Sequence, residues 1–277
     1  AFDPNATVRI LNPLSADFNA MRQTFLFGGL ESVIYNENRK NSDIRFYEFG
    51  NCYQLDLSGK NGNSLSKYIE KEHLALFVHG NKKPLSWNSP EMRSDFYFLK
   101  SFVDLVFEKL GFNPEEMKQL ELTDEIFSYG LSYGINSKQL VKFGLVNKKI
   151  SKVFDIENEV YYADFEWDLL MKYLPLVKQF IPVAKYPEVR RDLALLVDKS
   201  VAFSKIRELA YKAERQLLKH VSIFDVYEGE KLGEGKKSYA VSYILQDEFK
   251  TLTDKQIDKI MNKFVQVYET ELGAKIR

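Results

Sequence analysis

Cysteine is almost absent from this chain. The one residue of its kind, Cys52, excludes an internal disulfide framework and fits a reducing compartment such as the cytosol. Histidine is nearly as scarce, and its scatter over positions 73, 79 and 220 composes no transition-metal site. No apolar run approaches the roughly 20 residues needed to span a bilayer, and no signal-peptide pattern opens the chain. The glycine fingerprints of phosphate and dinucleotide loops are missing, as are internal repeats and low-complexity segments. The first residue is Ala1 rather than methionine, as in an excerpt of a longer protein.

What is present is ordinary globular material: 277 residues, 45% apolar and 28% charged, enough for two domains with a core each. A net charge of zero argues against a general nucleic-acid binder, yet it conceals a polarity. Residues 184–277 carry 18 Lys and Arg against 15 Asp and Glu, a balance of +3, which leaves residues 1–183 at −3. The excess is small, but its direction suits an RNA-binding tail.

Residues 184–277 read as one small domain. It opens on Tyr186-Pro187-Glu188-Val189-Arg190-Arg191-Asp192-Leu193, where Pro187 fixes its own φ and pushes Tyr186 out of helix. Alternation of Leu193, Leu195 and Val197 makes Arg190 to Asp198 a strand. Ser204 is placed to cap a helix running to about His220, and a second strand follows from Val221 to Tyr227. Gly229, Gly233 and Gly235 mark a turn, and Ser238 to Gln246 is a strictly alternating third strand. Thr253 or Asp254 caps a second helix, Gly273 stops it, and Ala274 to Arg277 close the sheet. The order β-α-β-β-α-β is that of a ferredoxin-like domain. With Tyr239, Val241, Tyr243 and Leu245 turned inward, Ala240 and Ser242 fall on the open sheet face.

Residues 1–183 read as a second α+β domain with a mostly antiparallel sheet. Asp17 to Tyr35 has helical spacing, with Phe18, Met21, Phe25 and Leu26 on one face and a weakening or break at Gly28-Gly29. Strands are expected over Arg45 to Leu57 and Leu74 to His79, and an amphipathic helix over Phe96 to Leu110, ended by Gly111. Short strands with turns at Gly130, Gly134, Asn136 and Asn158 fill the stretch from Phe127 to Asp168.

The strongest constellation is the Arg190-Arg191 pair with Lys231, Lys236 and Lys237 on the glycine-punctuated loop, suited to following a phosphate backbone. Its bland counterpart is a solvated hairpin with ordinary lysines. Phe224 and Tyr227 lie where open sheets carry base-stacking rings, and strict alternation allows only one of them onto that face. His79 and Cys52 read as structural residues inside strands. Asp164, Glu166 and Asp168 share one face if the strand runs through all three, a cation site in principle and a solvated edge by preference. The first domain shows no catalytic apparatus.

Several segments, in one order, carry a resemblance. In the first domain they are Ile10-Leu11-Asn12-Pro13-Leu14-Ser15, Met21-Arg22-Gln23-Thr24-Phe25-Leu26 and Phe46-Tyr47-Glu48-Phe49-Gly50-Asn51-Cys52-Tyr53. In the tail they are Tyr186 through Asp198, Phe224-Asp225-Val226-Tyr227-Glu228-Gly229, Gly235-Lys236-Lys237-Ser238 and Thr251-Leu252-Thr253-Asp254. Over nearly its whole length the chain resembles the C-terminal portion of the β subunit of bacterial phenylalanine–tRNA ligase. The resemblance implies that residues 1–183 are an inactive class II synthetase-like (catalytic-like) domain that packs against a catalytic α subunit. It implies that residues 184–277 are a ferredoxin-fold anticodon-binding domain contacting the anticodon stem-loop of phenylalanine tRNA. The whole enzyme would be a cytoplasmic (αβ)2 heterotetramer that joins phenylalanine to tRNA with ATP and magnesium, with neither a membrane nor DNA as partner. The family's editing and N-terminal RNA-binding modules are not in this sequence.

Against a working class II site two departures stand out. Where the resemblance places an arginine for the ATP α-phosphate, near Gln54, the side chain is neutral, and Phe165-Glu166-Trp167-Asp168-Leu169-Leu170 lacks the arginine of the last motif. The expected tRNA contacts are Arg190, Arg191, Lys231, Lys236 and Lys237 on phosphate, with Tyr227 and Ser242 on base or sugar. At the subunit interface Arg22, Phe18 and Phe25 are expected, with Phe27 as a further aromatic, and Ser15 as a helix cap. The competing reading is an assembly or regulatory module whose ferredoxin-like tail binds a protein or small ligand instead of RNA.

Overall fold

Period-two alternation draws a long antiparallel hairpin out of residues 44–79: β1 (Ile44–Leu55) pairs with β2 (Tyr68–His79) from Ile44 opposite His79 to Leu55 opposite Tyr68. The computed structural model describes residues 2–15, 18–57, 65–175, 183–229 and 232–277, and divides the chain into units of residues 1–178 and 179–277.

In the first unit, α1 (Leu26–Glu37) precedes the hairpin. After it come β3 (Asn81–Lys83), β4 (Met92–Arg93), α2 (Phe96–Lys109), β5 (Lys118–Glu121), β6 (Phe127–Ile135) and β7 (Lys138–Val146). The unit ends with α3 (Lys148–Val153), β8 (Val160–Glu166) and α4 (Trp167–Lys172). Six strands form one antiparallel sheet in the order β1-β2-β8-β7-β6-β5. One face packs on α1 through Leu26, Leu30, Val33, Ala75, Phe77 and Tyr162, and the other on α2 through Leu99, Val103, Phe107, Val78, Phe143 and Phe165. Asp95 caps α2 by accepting from the Phe98 N–H at 2.8 Å.

Helix α1 starts at Leu26, later than its spacing predicts, and Asp17 lies outside the described residues. The reason is backbone competition. Tyr53 N–H donates to the Arg22 carbonyl, and Met21 N–H to the Val8 carbonyl, each at 2.8 Å, so residues 21–22 are drawn into extended pairing. Ser15 therefore caps no α-helix among the described residues, and the hydroxyl of Thr24 takes the Leu26 N–H at 3.1 Å. The Gly28-Gly29 pair sits inside the helix without breaking it: a Cβ on Gly29 would overlap the Phe77 ring, whereas Gly28 faces open space. Gly130 and Gly134 likewise lie within β6 rather than at turns. Gly130 stands opposite Gly144 of β7, where a Cβ on either would run into the facing backbone. The β6–β7 turn falls on Asn136 and Ser137, both at positive φ. Asn158, expected at a turn, donates its amide to Glu37 at 3.1 Å before β8 begins. Asp168 belongs to α4 and accepts from the Glu72 N–H at 2.9 Å, so the three carboxylates do not share a strand face.

The second unit runs β9 (Val189–Asp198), α5 (Phe203–Ala213), β10 (Leu218–Tyr227), β11 (Lys236–Leu245), α6 (Asp254–Leu272), β12 (Lys275–Ile276). Its sheet order is β10-β11-β9-β12, the ferredoxin-like arrangement expected from the sequence. Leu195, Val197, Tyr239, Val241, Tyr243 and Leu245 bury one sheet face beneath Ile206, Leu209, Ile260, Phe264 and Tyr268 of the helices. Within that core the Tyr243 hydroxyl donates to Tyr268 at 3.0 Å; burial pushes both phenols up, Tyr268 to about 12. Helix α5 ends at Ala213, well before His220, because Leu218 is already buried in β10 opposite Leu245. Ala202, not Ser204, is its N-cap. At the head of α6, Thr253 and Gln256 form a capping box, in which the Gln256 side chain accepts from the Thr253 N–H at 3.1 Å. Gly273 closes the helix at φ +59°.

Two consequences are measurable. Gly29→Ala forces the Phe77 ring aside and should cost about 1–3 kcal/mol in urea denaturation, while Gly28→Ala, in open space, should stabilise by about 0.4–1 kcal/mol. Equal effects at the two positions would contradict the packing. Cys52 is buried, and its thiol is pushed up to about 12, first by desolvation and then by the Asp164 carboxylate. The unfolded thiol ionises near ~8.5, so this group's stabilisation is present below that pH and fades as pH climbs toward the folded value. Native protein at neutral pH should leave Cys52 unreacted with a bulky aromatic disulfide reagent until denaturant is added.

Candidate nucleic-acid interface

The face of the second unit's sheet turned away from α5 and α6 can be mapped from register alone, because directly paired residues share a face. Arg190 and Ile244 pair there, then Asp192, Ser242 and Ser222, then Ala194, Ala240 and Asp225, then Leu196, Ser238 and Tyr227. A register shift in β10 between Ile223 and Asp225 makes Phe224 an extra, unpaired residue. This bulge defeats strict alternation. Phe224 and Tyr227 are both presented outward, 55% and 44% exposed, where alternation would have sent one of them inward.

Arg190 is held in place. Its guanidinium forks onto Asp192, Nε to Oδ1 at 3.0 Å and NH2 to Oδ2 at 3.2 Å, and stands 5.4 Å from the Phe224 ring centroid. The fork outweighs the desolvation penalty and, helped by a bond from the Ser242 hydroxyl, holds the Asp192 carboxyl below its usual range. Ser242 itself is only 4% exposed, so it supports Asp192 from below and is not open to a ligand.

The paired arginines part company, as adjacent strand residues must. Arg191 turns toward the helices, donates to the Arg190 carbonyl at 3.0 Å and lies 3.8 Å from Asp254 at the head of α6. Lys236, opposite Asp198, keeps to the open side and is paired with that carboxylate at 2.9 Å. Lys237 falls on the other side, its Nζ 4.7 Å from the Tyr239 ring. Lys231 lies outside the described residues. Arg190, Lys236 and Tyr227 are therefore brought together on one face, while Arg191 and Lys237 are not. Phe224 and Asp225 join that face through the bulge, which leaves no mark in the spacing of apolar residues.

In the first unit Phe25 is a core residue, 1% exposed, and cannot meet a partner directly. Arg22 lies over its ring at 3.9 Å and donates to the Asn51 carbonyl at 2.9 Å and to the Glu48 carboxylate. Phe27 packs on Phe2 and Phe154, with centroids 5.1 and 6.1 Å away. Phe18 is exposed, in company with Leu11 and Leu14, and Tyr47 is exposed on β1, the edge strand.

Two family models match this chain. Residues 1–167 match the phenylalanyl tRNA synthetase beta chain CLM domain, and residues 184–277 match the ferredoxin-fold anticodon binding domain. The phenylalanine–tRNA ligase beta subunit of Bacteroides thetaiotaomicron is 51% identical over 100% of this chain and 34% of its own length. That of Bacteroides fragilis is 51% identical over 98% and 33%, and that of Porphyromonas gingivalis 38% identical over the same shares. Among solved structures, a pyrrolysyl-tRNA synthetase from Desulfitobacterium hafniense aligns with a TM-score of 0.44 and 13% identity over 64% of this chain and 59% of that one. The chain spans about a third of the length of the curated relatives it matches. With a family model covering its first 167 residues and relatives at 51% identity along its whole length, the chain belongs to the phenylalanyl tRNA synthetase beta chain family.

Proposed function

We propose that this chain is a noncatalytic part of a phenylalanine–tRNA ligase, in which the second unit binds the anticodon stem-loop of the tRNA and the first supports a catalytic subunit. The observation that carries the RNA reading is the open sheet face, with two outward aromatic rings beside an arginine already fixed in orientation. Unpaired bases stack on such rings for about 1–3 kcal/mol each. Asp225, next to Phe224 and two residues from Tyr227, offers a carboxylate to base-edge donors, while Arg190 and Lys236 meet phosphate.

In the first unit Leu11, Leu14, Phe18 and Tyr47 supply the apolar surface for the catalytic subunit, in an assembly of two such pairs. ATP and magnesium belong to that partner. Gln54 is neutral where a phosphate-gripping fork would be needed, and the Trp167 ring packs edge-on against Phe49 at 5.2 Å, so this chain's residues do not fit the nucleotide. The reaction and its cytoplasmic setting are carried by the whole enzyme.

The test is a titration of labelled phenylalanine tRNA with this chain at two salt concentrations. Phe224→Ala and Tyr227→Ala should each weaken binding by about 1–3 kcal/mol with an unchanged salt slope. Arg190→Ala should lower the salt slope by about one, whereas Arg191→Ala, on the helix side, should change little. Absence of binding at low salt, or indifference to both aromatic substitutions, would move the assignment to an assembly or regulatory module.

A further inference from the structure

The sheet face that α1 covers in the first unit is divided. Around Phe77 and Tyr162 it is apolar and packed; toward the far ends of β1, β2 and β8 it becomes a polar cavity of about 180 Å3. Its walls include Thr24, Cys52, Lys71, His73, Lys142 and Asp164. Their charges are arranged in depth. At the inner end the Asp164 carboxylate, 12% exposed, accepts from His73 Nδ1 at 2.7 Å through Oδ1. Just behind it, outside the cavity wall, the fully buried Tyr162 hydroxyl lies beside Thr24 and Asp164. Toward the rim two lysines are only loosely engaged, Lys71 at 3.5 Å from Glu166 and Lys142 at 3.4 Å from Asp124, longer than the ~2.7–2.9 Å of a tight ion pair.

We propose that this cavity binds a small zwitterion, its primary ammonium seated at Asp164 and its carboxylate held by Lys71 and Lys142. The chemistry decides the class. The Asp164 carboxylate at the inner end suits a cation, two lysines at the rim, Lys71 beside Glu166, suit an anion, and neither end alone uses both. The volume decides the size, since it lies below the ~300–1,000 Å3 of drug-sized sites and suits an amino acid with a short side chain. Ile69, Leu140 and the neutral Cys52 thiol give that side chain an apolar wall. The site involves only first-unit residues and is independent of the RNA reading.

The experiment is ligand-observed NMR on the full chain with glycine, L-alanine and L-serine as probes, and n-propylamine and propionate as single-charge controls. Saturable binding of at least one amino acid, with both controls much weaker, is the expected result. Asp164→Asn should weaken that binding by about tenfold or more. Because Asp164 is largely enclosed and its loss could perturb folding, Lys71→Met at the exposed rim is the second variant, expected to weaken the amino acid and leave propylamine unaffected. Failure of all three amino acids to saturate at millimolar concentration would overturn the proposal. So would equal binding of propylamine, or unchanged affinity in a folded Lys71→Met protein.

Discussion

One extra residue in β10 decides what the second unit shows to solvent. Without the bulge at Phe224, period-two alternation would send either Phe224 or Tyr227 under the helices, and the open face would keep one ring. With it, Ile223 stays opposite Val241 against the core while Phe224, Asp225 and Tyr227 are all accessible. Arg190 then has a ring to lie beside and a carboxylate to fork onto, so its guanidinium is oriented before any ligand arrives. A preformed arginine loses less rotamer freedom on binding than a free one, the same economy that makes rigid aromatic side chains good anchors.

The first unit obeys a related constraint at a different place. Its six-stranded sheet is covered on one face by α2 and only partly on the other by α1, whose close approach is made by Gly29 against Phe77. Where α1 stops covering, the strands switch from apolar to charged residues. The switch leaves Asp164, His73, Lys71 and Lys142 around a cavity instead of a packed core.

Much of this was legible in the amino-acid order. The tail's β-α-β-β-α-β pattern followed from the alternation of Tyr239, Val241, Tyr243 and Leu245 and from the Gly273 stop, and α2 from the amphipathic Phe96-to-Leu110 spacing ended by Gly111. What was not legible depended on long-range pairing. Residues 21–22 have helical neighbours in sequence but are captured by Tyr53 and Val8. Gly28-Gly29 looks like a breaker until Phe77 appears above it. Ser242 has the right parity for the open face and is nevertheless hidden, because Asp192 and Arg190 close over it. Arg190 and Arg191 read as a pair in one dimension and stand on opposite sides of a sheet in three.

The central claim is that RNA meets the second unit on its open sheet face and not on its helices. The most direct measurement is an aromatic-resolved NMR titration with an isolated phenylalanine-tRNA anticodon stem-loop. Upfield ring-current shifts on the Phe224 and Tyr227 ring protons, with the α5 and α6 signals unmoved, are what base stacking on that face predicts. Perturbations confined to α5 and α6, with both rings silent at saturation, would contradict it.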